Sequence, residues 1–175
     1  MGVLGLIEMF GRRTATRGLV ALAMASVMGG CAGAAATPGE AFLELGTGTA
    51  RFQPLEDGDE VAMVHGAQGG WHLWISARAT GLSSGTGSLE IAHGPADGSE
   101  EMQSSRVGVV FDPPDAQGRR VTLGWQAILT DPPCAVGRLH RVRVTVTTAT
   151  GERVSAERDV LPTAGDHPPP ACTTE

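Results

Sequence analysis

The densest run of chemically capable side chains is His65-Gly66-Ala67-Gln68-Gly69-Gly70-Trp71-His72-Leu73-Trp74-Ile75-Ser76-Ala77-Arg78. Written as an extended strand from residue 71, it places Trp71, Leu73, Ile75 and Ala77 on one face and His72, Trp74, Ser76 and Arg78 on the other. The second set joins an imidazole, an indole, a hydroxyl and a guanidinium. With Gln68 from the preceding loop, His72, Trp74 and Arg78 form a candidate binding surface. A tryptophan there supplies a flat apolar platform with one donor at its edge, suited to a polar or sugar-like ligand. In the purely structural alternative, Trp74 packs on the Arg78 stem and His72 caps polar groups of the loop. Gly66, Gly69 and Gly70 permit a bend closed to other residues, and Gln68 can bond to exposed backbone at a sheet edge.

The histidines offer a second chemistry. His65, His72, His93 and His140, with Met63, supply imidazole and thioether groups that suit copper or zinc. None of them falls at the i, i+2 spacing of a strand site or in a helical His-Glu-x-x-His pattern, so no metal site is assigned; His65 and His72 are the weak candidates. His140 opens a valine face and reads as a hydrogen-bonded histidine at the core edge, and His167 lies in the tail as a solvated group. Catalytic signatures are missing. Gly81-Leu82-Ser83-Ser84-Gly85 has Gly-x-Ser-x-Gly spacing, but its serines read as loop serines with no adjacent basic partner; there is no Walker A or dinucleotide fingerprint, and Gly85-Thr86-Gly87-Ser88 lacks the strand-turn-helix setting of a phosphate loop. The carboxylates of residues 56–60 lack EF-hand spacing and read as a solvated turn. A non-enzyme is expected, with no catalytic residue and no cofactor.

At the N-terminus, Arg12, Arg13 and Arg17 precede an apolar run at residues 18–28. A membrane-spanning helix needs about 20 apolar residues and a secretory h-region about 7 to 15, so the run has the length of an export signal. It closes on Met28-Gly29-Gly30-Cys31, which resembles the lipobox of bacterial lipoproteins although Met28 stands where that pattern usually has leucine. The resemblance implies cleavage before Cys31, acylation of its thiol and a lipid bilayer as partner. The competing reading is an ordinary signal cut near residues 34–36. Ala32 is not Asp, the residue that retains enterobacterial lipoproteins at the inner membrane. Outer-membrane delivery, facing the periplasm or the cell surface, is therefore favoured over the inner membrane. Either Met1 or Met9 can serve as the start.

Removing residues 1–30 takes away Arg12, Arg13, Arg17 and Glu8, leaving 10 basic and 18 acidic residues, a net charge of −8. Such a domain is repelled by phosphate backbones, and no nucleic acid is expected as partner. With Cys31 lipidated, Cys134 and Cys172 remain as an even pair in an oxidising compartment and are expected to form a disulfide that staples the Pro-rich tail.

Strand-like runs recur at residues 41–45, 49–54, 60–65, 71–80, 88–93, 105–112, 120–129, 139–149 and 153–161. Gly, Pro, Asp and Ser clusters separate them, including Asp131-Pro132-Pro133. No helical period competes, which argues for an all-β fold. Val142, Val144 and Val146 alternate with Arg141, Arg143, Thr145 and Thr147, and the chain turns at Gly151 into Val154, Ala156 and Val160. This terminal hairpin resembles the last two strands of immunoglobulin-like or fibronectin-type domains. That implies an immunoglobulin-like antiparallel β-sandwich preceded by a signal-peptide helix, with a small β-barrel as the alternative. The Gln-Gly-Gly-x-His-x-Trp segment at residues 68–74 also resembles one in uncharacterised predicted lipoproteins of myxobacterial type, a likeness that brings no known activity.

The expected organisation is a lipoprotein signal peptide at 1–30, a tether at 31–40, a β-sandwich at 41–162 and a tail at 163–175. The expected role is a non-catalytic binding or structural module of the cell envelope, with an envelope protein or polysaccharide as partner. A periplasmic copper- or zinc-binding lipoprotein is the alternative, and an envelope enzyme the second.

Overall fold

The computed structural model describes residues 40–173. Cys31 and the proposed signal peptide lie outside them. Strands β1 (Phe42–Thr47), β2 (Gln53–Pro54), β3 (Glu60–Ala62), β4 (Val64–His65), β5 (Trp71–Thr80), β6 (Thr86–Pro95), β7 (Gln103–Val110) and β8 (Arg119–Leu129) precede one helical turn, α1 (Pro132–Ala135). Strands β9 (His140–Thr148) and β10 (Arg153–Thr163) complete the order. Alternation of apolar and polar residues governs these elements, so nearly every strand falls where the sequence places one. The stretch at 49–54 is one exception, shrinking to β2. The Asp131-Pro132-Pro133 cluster forms a turn of helix rather than a simple loop: Asp131 Oδ1 caps it by accepting from Cys134 N at 3.4 Å, and the prolines sit in its first turn, where no amide donor is needed.

Two sheets stack into a sandwich and no barrel closes. In the first, β5 is central: β8 pairs along one side of it, β1 and β4 share the other, and β2 extends β1. The second runs β3-β10-β9-β6-β7. Successive strands β5 and β6, β7 and β8, and β8 and β9 belong to opposite sheets, giving the immunoglobulin-like Greek-key connectivity. The sandwich is antiparallel in every pairing but one, that of β3, which runs parallel to β10 with Glu60, Val61 and Ala62 opposite Leu161, Pro162 and Thr163. Residues 60–65, expected as one strand, split at Met63. There the chain leaves β10 for β5, and Met63 N donates to Thr163 O at 2.9 Å while its side chain is buried.

The core lies between the sheets. Leu73, Ile75, Ala77 and Ala79 of β5 face Leu89 and Ile91 of β6 and Val142, Val144 and Val146 of β9. On the outer face of the second sheet, Arg141 pairs with Asp159 at 2.8 Å and Arg143 with Glu157 at 2.6 Å, each pair directly across the β9-β10 register. The pairing of β5 with β8 shifts between Ile75 and Ala77, and Gly124 takes a φ of 70° in the extra residue this requires on β8. Cys134 and Cys172 form the expected disulfide, with Cα atoms 4.8 Å apart.

Candidate functional site

The outer face of β5 is only partly open, with His72 and Ser76 buried and Trp74 and Arg78 half-buried. Each polar residue assigned there from the sequence finds a particular neighbour. Arg78 lies opposite Glu44 in the β1-β5 register and donates to it twice, through Nε at 2.6 Å and Nη2 at 3.0 Å. Its guanidinium also stacks 4.5 Å from the Phe52 ring centroid. The hydrogen bonds to Glu44 raise the Arg78 pKa and occupy its Nε and Nη2. Ser76 is fully buried: its Oγ donates to Gly48 O at 2.7 Å and accepts from Gly124 N at 3.1 Å, joining β1's end to the bulge. His72 is 5 % exposed and meets Trp74 edge-on at 4.5 Å, with Nε2 unpartnered among the described residues. Burial lowers its pKa. Trp74 thus meets the His72 ring, the Arg78 guanidinium lies over Phe52, and His72 Nε2 caps no loop group among the described residues.

Trp74 is what remains available. It lies under a groove of about 450 Å³ lined by Thr47, Thr49, Arg51, Gln53 and Glu60 together with Val61 and Val64. The Thr47 hydroxyl donates to Trp74 O at 2.7 Å and fixes the rim to the platform. On its other side Trp74 borders a second, more apolar groove of about 390 Å³ that holds Trp125, Ile128 and Val107. The polar rim residues of the first groove come from the β1-β2 turn and β3. Sequence reasoning missed them because nothing in their own spacing refers to Trp74.

Gln68 sits on the exposed Gln-Gly-Gly loop, whose Gly69 and Gly70 have φ of 89° and 80° and which closes through Gly66 N to Gly70 O at 2.9 Å. It rims a separate groove of about 330 Å³ beside Gln126 and Ile128, and does not line the Trp74 groove. Trp71 turns its indole to the tail: Nε1 donates to His167 O at 2.8 Å, and the His65 ring packs against it at a tilt, 4.7 Å between centroids. The tail is therefore pinned at His167 as well as at Cys172.

The weak metal pair separates. His65 lies opposite Trp71 and His72 opposite Val64 in the β4-β5 register, so the two imidazoles occupy opposite faces of the sheet. Among the described residues no three His, Cys, Asp or Glu side chains gather as a ready metal site, and no helix is long and apolar enough to cross a membrane. Compared with known proteins, the chain matches no family model, no curated protein and no solved structure.

Proposed function

We propose that this chain is a lipid-anchored binding module of the bacterial envelope, tethered through Cys31, which holds a sugar-like polar ligand on the Trp74 platform without transforming it. The observation that carries the binding reading is the 450 Å³ groove in which an indole lies among Thr, Arg, Gln and Glu side chains. An aromatic face flanked by a few convergent polar groups suits a ring with apolar C–H faces and equatorial hydroxyls. Placement in an oxidising compartment is supported by the Cys134–Cys172 bond, which cytosolic reductants would oppose. The lipobox resemblance at Met28-Gly29-Gly30-Cys31 supports the anchor.

The test has two arms. Soluble protein beginning after Cys31 is screened against envelope polysaccharides, and Trp74→Ala is expected to weaken any binding by about tenfold or more while leaving the fold intact. Binding that survives the change removes the platform from the proposal. Labelling with a radioactive fatty acid in the native host is expected to mark the wild-type chain and not Cys31→Ser; equal labelling removes the anchor.

A further inference from the structure

The inner faces of β6 and β9 end in histidines. Leu89, Ile91 and His93 follow one another along β6, and Val146, Val144, Val142 and His140 along β9, so two imidazoles terminate the apolar core. Register brings them together: His93 lies opposite Val142, and His140 opposite Pro95, which makes the histidines diagonal neighbours on one face. They are 6 % and 7 % exposed. Between them and the loop at 97–103 lies a cavity of about 30 Å³, lined also by Glu100, Glu101, Gln103, Asp131, Cys134 and Arg138. That is room for a single ion or for one or two waters.

The imidazoles are held in a particular way. His93 Nδ1 is buried with no partner among the described residues, on a ring that lines the cavity. The Arg138 carbonyl faces His140 Nδ1 at 3.4 Å, which places the proton there and leaves the lone pair on Nε2. A ring whose far nitrogen donates to a backbone carbonyl, fixing tautomer and orientation, is the arrangement that metal-binding histidines use. Burial lowers the pKa of both groups, keeping them neutral and able to ligate. The surrounding charge favours a cation. Asp97, Glu100, Glu101 and Asp131 stand around the site against Arg138 alone, and Arg138 is itself paired with Asp97 at 3.1 Å and Glu100 at 3.2 Å.

We propose that His93 Nδ1 and His140 Nε2 form a two-imidazole site for one divalent ion of the zinc or copper type, with water completing its coordination. Borderline metals of this class prefer imidazole nitrogen, whereas calcium and magnesium require oxygen ligands. The site is separate from the Trp74 groove, and neither depends on the other.

The experiment uses untagged protein beginning after Cys31, stripped with chelator and titrated with Zn(II) against a chromogenic competitor. One equivalent is expected to bind in the micromolar range or tighter. His93→Gln and His140→Gln are each expected to weaken binding by at least about tenfold, and His65→Gln to leave it unchanged. Long-range nitrogen-proton NMR on the wild type reads the same site without any variant: Zn(II) should shift His93 Nδ1 and His140 Nε2. Absence of binding, retention of wild-type affinity by both Gln variants, or shifts confined to His65 and His167 would overturn the proposal and leave a buried water as the occupant.

Discussion

Replacing Ser76 with alanine isolates the contact on which the Trp74 groove is built. Ser76 is fully buried, and its single hydroxyl satisfies the Gly48 carbonyl and the Gly124 amide together. Alanine removes one oxygen and leaves two backbone groups without partners at the point where β1 ends and β8 bulges. A hydrogen bond contributes about 1 kcal/mol net, and stranding a buried partner costs about 1 to 3 kcal/mol. Both glycines are half-buried, so water recovers part of the loss and the expected destabilisation is about 2 kcal/mol. For a domain of this size that lowers Tm by about 6 °C. Gly48 and Thr49 line the groove, so ligand affinity at Trp74 should fall along with stability. Urea unfolding followed by tryptophan fluorescence measures the first effect, and the change should appear in the midpoint at constant slope. A loss below about 0.5 kcal/mol would refute the reasoning, because it would mean the hydroxyl is not what joins the two segments.

Two further outcomes follow from the same geometry. Reducing the Cys134–Cys172 bond, which spans 38 residues, should destabilise the domain by about 4 kcal/mol in the chain-entropy model; an unchanged urea midpoint in the Cys134→Ser, Cys172→Ser variant would show the bridge to be idle. In metal-free protein, the burial-lowered pKa values of His93 and His140 mean that the unfolded chain takes up protons first. Their contribution is then fully present above the unfolded value of about 6.5 and is lost as pH falls from there through the folded values. Asp97, held at about 2 by the Ser99 amide and hydroxyl and by Arg138, gives way only in stronger acid. A His93→Phe, His140→Phe protein should flatten the pH dependence below 6.5, and an identical profile would contradict the assignment.

The sandwich was legible because period-two alternation marks strands directly, and because Gly and Pro clusters mark their ends. The crossing at Met63 was not. A methionine buried where one strand passes from sheet to sheet looks, in sequence, like one more residue of a continuous strand. The face of His72, Trp74, Ser76 and Arg78 was assigned correctly by alternation, yet what each residue does there depends on partners such as Glu44, Gly48 and Gly124 that no local pattern names. His93 and His140 illustrate the same limit. Each reads alone as a histidine at the edge of a strand, and only the β6-β9 register makes them a pair. The role of Trp71 in holding the tail at His167 was equally invisible, since the acceptor is a backbone carbonyl.

The bulge at Gly124 also bears on how copies of this domain behave when crowded. Among the described residues strand β8 pairs only with β5, so one long edge of the first sheet has no partner strand, although Asp112 N donates to Val121 O there at 2.8 Å, and at Ile128 it carries an apolar side chain 60 % exposed. Such an edge is a template for intermolecular strand pairing and fibril growth. The extra residue at the bulge breaks the regular spacing of that edge and twists it, and Arg120 places positive charge near its beginning. Straightening the bulge by deleting Gly124 would therefore make this edge a better template for strand pairing between copies of the domain.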